Sequence, residues 1–253
     1  MIRRAVNAAT AVCVALTLVA CGGGGGKKAA VATTTTTSTS TSTTTTSTTT
    51  STTLAPTSTA PPTTAPAPYP SSIDTVTAAD LGASWHDGCP VAPSQLRMVT
   101  VTFFGFDGAD HTGKVVVNAN VATKVVDAFR RMYVAHFPIR KMKPIFTQAE
   151  YDDFETPDDN STGFSCRDAV NDSGTAAWSE HAFGDAIDIN PIENPYIEGD
   201  RIIPSSGAAY TDRSDVRPGM AVPGSAIVKA FSAIGWGWGA SFQDYQHFST
   251  NGR

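Results

Sequence analysis

Apolar and polar residues alternate loosely from Met98 to Phe106, in a segment rich in Val, Thr and Phe, and this predicts a β-strand. Asp107-Gly108 marks a loop, and Gly113-Lys114-Val115-Val116-Val117 predicts the returning strand of a hairpin. The period then changes. After Asn118, placed to cap a helix, Val121, Val125, Phe129, Met132 and Tyr133 recur at helical spacing. Phe137 to Met142 predicts another short strand. Thr147 can cap a short acidic helix running to Phe154, which Pro157-Asp158-Asp159-Asn160 ends. Further on, Ala186-Ile187-Asp188-Ile189 predicts a strand with Ala186 and Asp188 on one face and the isoleucines on the other. Pro223-Gly224-Ser225 opens a last helix, Ala226 to Ile234, leading to a final strand in which Tyr245, His247 and Ser249 alternate with Gln246 and Phe248. Hairpins with helices alongside, and no internal repeat, predict an α+β fold: a small, mostly antiparallel sheet flanked by helices.

The first 70 residues follow no such pattern. Arg3 and Arg4 precede an apolar run from Ala11 to Ala20, a secretory signal too short to span a membrane, assigned to residues 1–20. Leu18-Val19-Ala20-Cys21 resembles a bacterial lipobox, with Cys21 as the lipidated residue; an ordinary signal with a chance cysteine is the alternative. Gly22 to Gly26 then form a flexible tether. Every residue from Thr33 to Thr53 is Ser or Thr, and proline-rich sequence continues to Pro70. Such a stretch cannot bury enough apolar area to offset its conformational entropy, so 21–70 is expected to be a disordered linker. It reads equally as a mucin-like stalk or as a bare polar spacer. The expected location is outside the cytoplasm, lipid-anchored to the membrane and facing the cell wall.

Charge narrows the partners. The chain carries −5 overall, with a pI of about 5.4. Without Arg3, Arg4, Lys27 and Lys28, 14 basic residues face 23 acidic ones, leaving residues 71–253 at −9. That argues against nucleic acid, which needs a basic face. This stretch is long enough for one domain with its own core. Cys13 goes with the signal and Cys21 with the lipid. Cys89 and Cys166 remain, and in an oxidising compartment they are expected to form a disulfide. Two cysteines are also too few for a zinc site built mainly from thiolates.

The candidate chemistry lies in two stretches. Ser179-Glu180-His181-Ala182-Phe183-Gly184-Asp185-Ala186-Ile187-Asp188 sets a histidine and an aspartate seven positions apart, and Asp244-Tyr245-Gln246-His247 supplies a second histidine with an acid before it. Two His and one Asp make a three-ligand zinc set with an open fourth position, as a catalytic zinc requires. Asp244 is then free to act as a base. Gly184 lets the backbone turn so that His181 folds back towards Asp188. Asp185, on the opposite face of the strand from Asp188, is expected to be solvated, and Glu180 to point away from His181. His86, His111 and His136 lie outside any ligand spacing. Trp236 and Trp238 are expected in the core before the cleft.

These residues carry a resemblance. Ser-x-His-x-x-Gly-x-Ala-x-Asp followed by Asp-x-x-His, matched by Ser179, His181, Gly184, Ala186, Asp188, Asp244 and His247, resembles the M15 family of zinc D-Ala-D-Ala peptidases and L-Ala-D-Glu endopeptidases. Asn190-Pro191, Asn194-Pro195-Tyr196 and Gly235-Trp236-Gly237-Trp238-Gly239 look like its bacterial branch, and the likeness runs from about Trp85 to the end. Some members have glutamate where Asp244 stands. The resemblance implies a Hedgehog/DD-peptidase-like fold and Zn2+ held by His181, Asp188 and His247. It also implies Asp244 as the base, Arg167 as a catalytic and substrate-binding residue in a Cys-Arg segment, and Ser179 at the substrate. The implied partner is the peptidoglycan stem peptide, and the implied activity is D-Ala-D-Ala carboxypeptidase, with L-Ala-D-Glu endopeptidase second. A non-catalytic, zinc-containing wall-binding module is the reading from a different class. A monomer is expected.

Overall fold

In the computed structural model the described residues are 68–152, 158–169 and 177–253, all within one compact unit. The expected signal, Cys21, residues 21–67 of the expected linker, Phe154 at the end of the predicted acidic helix and Pro157 in the segment expected to break it lie outside them. The elements in chain order are β1 (Ser71–Thr75), α1 (Ala78–Leu81), β2 (Leu96–Gly105), β3 (Asp110–Asn118), α2 (Ala122–Val134), β4 (Pro138–Ile139), β5 (Lys141–Met142), α3 (Gln148–Asp152), β6 (Asn160–Ser161), α4 (Glu180–Phe183), β7 (Ala186–Asp188), β8 (Tyr196–Glu198), β9 (Arg201–Ile203), α5 (Ala226–Ala233), β10 (Gly237–Trp238) and β11 (His247–Ser249). The fold is α+β, with small sheets that are mostly antiparallel.

The alternation in β2 and β3 divides the interior in two. With Val99 opposite Val115 and Met98 opposite Val116, odd-numbered residues of both strands share one face. Val99, Val101, Phe103, Val115 and Val117 meet α2 through Val125, Phe129 and Met132 and α5 through Ile227 and Phe231. On the opposite face Leu96 and Val116 meet Leu81, Phe164 and Cys166. The Cys89–Cys166 disulfide, with Cα atoms 5.8 Å apart, ties this second layer together. Burial of a large apolar side chain is worth roughly 1.5–3 kcal/mol, so the two layers hold the long hairpin from both sides.

Two local expectations change. Asn118 does not cap α2: Val121 is the N-cap and no side chain bonds there. Instead the Asn118 amide donates to the Phe183 carbonyl at 3.0 Å, joining the end of β3 to α4. The strand expected from Phe137 to Met142 is two short ones. β4 runs parallel to the end of β2 and β5 parallel to β6, so the chain changes partner at Arg140. At the other margin, Tyr69 packs against Tyr133 with ring centroids 5.5 Å apart, just before β1.

Candidate active site

A second sheet, in the order β10-β11-β7, carries the constellation. In its antiparallel register His247 lies opposite Asp188, and Phe248 opposite Ile187. Directly opposed residues share a face, so the two polar side chains meet on one side while Ile187 and Phe248 enter the core on the other. Phe248 stacks on Phe231 of α5 at 4.3 Å between centroids. The apolar pair therefore sets the register that the polar pair needs. On its free side β7 is bonded to Thr162, through Asp188 N–H to the Thr162 carbonyl at 2.8 Å and the reverse bond at 3.0 Å.

His181 arrives from α4, a single helical turn. Ser179 caps it, its hydroxyl accepting from the His181 N–H at 3.3 Å. Gly184 ends it at φ +74°, a left-handed conformation that glycine adopts without cost. A Cβ there would come within 2.6 Å of the Asn118 nitrogen, so glycine is also required by the docking of α4 on β3.

The three side chains converge. His181 Nε2 lies 3.2 Å from Asp188 Oδ2 and 3.2 Å from His247 Nδ1, and His247 Nδ1 lies 3.2 Å from Asp188 Oδ1. Each histidine spends its other nitrogen on a main-chain carbonyl: His181 Nδ1 donates to Gly163 at 2.6 Å, and His247 Nε2 donates to Arg253 at 2.9 Å. A carbonyl can only accept, so the hydrogens of both neutral rings face outward and two nitrogen lone pairs face each other beside a carboxylate. A cation is the group that resolves such a juxtaposition. Three donors at metal–ligand bonds of about 2.0–2.1 Å in tetrahedral arrangement stand about 3.3 Å apart, so these residues fit a zinc-sized ion. The electrostatics agree for His181 and Asp188, while in the metal-free site His247 is biased toward its protonated form. Burial pushes the His181 imidazole below its ordinary range, keeping it neutral. For His247, burial works downward, but the hydrogen bond and charge of Asp188 prevail and raise it. Asp188, against the upward push of burial, is held well below the carboxylate range by the two histidines.

Asp244 stands just before β11 and is bridged through its main chain to Tyr196. Its Oδ1 is buried without a hydrogen-bond partner, and burial together with the negative charge of Asp188 pushes its carboxyl up to about 7. A carboxyl near neutrality, lining the same cavity as the triad, is suited to proton transfer. That cavity, about 510 Å³, is also lined by Arg167, Ser179, Trp178, Tyr196 and Phe242. Arg167 is held from its main chain: its carbonyl accepts from the Ser179 N–H at 3.1 Å, next to the disulfide-bonded Cys166. Its positive charge acts downward on both His181 and Asp244.

Other residues fall elsewhere. Asp185 is half-buried, not solvated, and burial and Glu180 raise its pKa. Glu180 accepts from the Asn251 amide at 2.7 Å. Trp236 is buried in the core, and Trp238 packs over Phe248. His111 stands at the start of β3, not in the loop, and pairs with Asp107, and His136 stacks on Phe104. His86 lies near Cys89 and Cys166, but both thiols are consumed by the disulfide, so no ligand set forms there. Sequence reasoning missed the Gly163 and Arg253 carbonyls that orient the two rings. Main-chain acceptors carry no residue signature, and nothing in the sequence could have indicated them.

Similarity to known proteins bears on this geometry. Residues 173–250 match the model of a peptidase family described as D-alanyl-D-alanine carboxypeptidase. Neither the curated proteins nor the solved structures yield a match to the chain. The matched stretch contains His181, Asp188, Asp244 and His247 but stops short of Arg167 on one side and Asn251 on the other. The match runs through both stretches whose side chains the fold brings together, and it supports a likeness to M15-type peptidases over that part of the chain.

Proposed function

We propose that the protein is a zinc-dependent peptidase of peptidoglycan stem peptides, acting first as a D-Ala-D-Ala carboxypeptidase. One observation carries the reading: two imidazole lone pairs and a carboxylate converge on one point, with the near-neutral carboxyl of Asp244 in the same cavity. His181 Nε2, His247 Nδ1 and the Asp188 carboxylate would hold the ion. Zinc bound there supplies Lewis acidity for polarising a scissile carbonyl.

The chain's own residues do the rest. Asp244 takes the proton of the attacking water and returns it to the leaving amine, which its placement near neutrality favours in both directions. Arg167, fixed between the disulfide and Ser179, faces the negative charge that develops on the carbonyl oxygen. Ser179 acts through the turn it caps, keeping His181 aimed. Trp178, Tyr196 and Phe242 give the cavity apolar walls that position the peptide and limit water. The lipobox at Cys21 and the Ser/Thr linker support a lipid-tethered enzyme outside the cytoplasm, working within reach of the wall. Among the described residues no helix is long and apolar enough to cross a membrane.

The test is zinc content together with mass analysis of a defined pentapeptide stem. Release of the terminal D-Ala supports the carboxypeptidase, and scission between L-Ala and D-Glu assigns the endopeptidase instead. A zinc-loaded protein that binds the stem and cleaves neither bond would be a binding module, and this reading would fall.

A further inference from the structure

Beyond β11 the chain doubles back under the site and makes an arrangement that the zinc reading does not use. Asn251 bonds at both ends of its amide. Its Nδ2 donates to Glu180 Oε1 at 2.7 Å, and its Oδ1 accepts from the Arg253 N–H at 2.9 Å. The Arg253 main-chain oxygen accepts at once from His247 Nε2 at 2.9 Å and from Ser249 Oγ at 2.9 Å. The doubling back is held from two sides. Thr250 N–H donates to the Asp185 carbonyl at 3.0 Å, and a Cβ on Gly237 would come within 2.5 Å of the Gly252 Cα. Glu180 is the first residue of α4 and adjoins His181, whereas Arg253 orients His247. A single exposed side chain therefore spans the two elements that bring the histidines.

Resting on the zinc reading above, we infer that Asn251 is a positioning residue, a clamp that ties α4 to the Arg253 carbonyl and so fixes the ring and tautomer of His247 relative to His181. The physical case is the division of labour on the imidazole. Nδ1 keeps its lone pair toward the cation only while Nε2–H has a fixed acceptor. That acceptor is a main-chain oxygen near the end of a turn. Of the side-chain hydrogen bonds described around it, those through Asn251 lead back to the other histidine's helix. An exposed amide adds little to folding stability, so its effect should appear on the metal and not on the fold.

The test uses the full chain, stripped by chelator and titrated with zinc and, separately, with cobalt. Asn251→Ala removes both ends of the clamp. Asn251→Asp keeps the acceptor but sets a second carboxylate against Glu180. Each should weaken zinc binding by about 10–100-fold, the range for lost orienting partners, and change the visible absorption of the cobalt form. Melting of the metal-free protein should stay unchanged. Adding Glu180→Gln to Asn251→Asp lets the new amide donate to the new carboxylate and should restore affinity and spectrum. If Asn251→Ala does not fold, the Asn251→Asp pair decides alone. Wild-type affinity and an unaltered cobalt spectrum in Asn251→Asp overturn the clamp while leaving the zinc site standing. A double variant no tighter than Asn251→Asp overturns the link through Glu180. If the wild type takes up no zinc, the underlying reading fails, and the clamp with it.

Discussion

Replacing Asp244 by Asn tests the proposed chemistry and its energetic origin together. The side chain keeps its shape, and Asp244 is not among the three converging donors, so metal should remain bound. Turnover should fall by about 10²–10⁴, the usual loss when a general base is removed. The structure adds a second, opposite effect. Burial and the Asp188 charge raise the Asp244 carboxyl from 3.8 to about 7. The folded protein therefore holds this proton more tightly than the unfolded chain. The stabilising contribution is complete below pH 3.8 and is lost as pH rises through 7. At about 1.36 kcal/mol per pH unit the ionised carboxyl costs the metal-free fold on the order of 4 kcal/mol at about pH 8. An amide carries no such cost. Urea unfolding of chelator-treated wild type and Asp244→Asn, at about pH 5 and about pH 8, should show the variant's advantage growing with pH. Stem-peptide hydrolysis by the zinc-loaded forms measures the other half. Wild-type turnover in the variant would refute the base. A stability difference that does not change with pH would refute the account of why this carboxyl sits near neutrality.

Asp188→Asn, the same chemical change, should lose metal and activity together, because Asp188 contacts both histidines; retained zinc by elemental analysis would contradict the donor set. Reduction of Cys89–Cys166, which spans 77 residues, should lower stability by about 4 kcal/mol on loop entropy, read as a shift in the urea midpoint. A third test concerns the buried acids Asp159 and Glu193. Burial and the neighbouring Glu193 carboxylate push Asp159 up to about 8, while Arg140 works against them. Its contribution is thus present at low pH and lost as pH rises through 8, and Asp159→Asn, which mimics the protonated form, should flatten that decline in pH-dependent melting. Gly184→Ala should destabilise the fold by roughly 1–2 kcal/mol or more and weaken zinc uptake, since the new methyl meets the Asn118 backbone at a positive φ.

The amino-acid sequence by itself determines the hairpin and α2, through the period-two alternation from Met98 and the helical spacing from Val121, because residue period and burial are directly linked. Seven residues in two spaced stretches likewise point to a candidate metal-donor set and carry the likeness to a peptidase family, because ligand identity is a side-chain property. Local pattern falls short at Asn118, where a favourable capping bond gives way to the tertiary demand of joining β3 to α4. It falls short again after Phe137, because pairing partners, and not propensity, decide where a two-residue strand ends. Only the tertiary structure decides that His247 stands opposite Asp188, a register set by Ile187 and Phe248 in the core behind them. It alone decides that the Gly163 and Arg253 carbonyls aim the two lone pairs inward, and that Asp244 is buried, and close enough to Asp188, to be held near neutrality. The reason is physical: a sequence names donors and acids, but lone-pair direction and mutual charge depend on distances such as the 3.2 Å between His181 and His247, 66 positions apart, and only packing sets those distances.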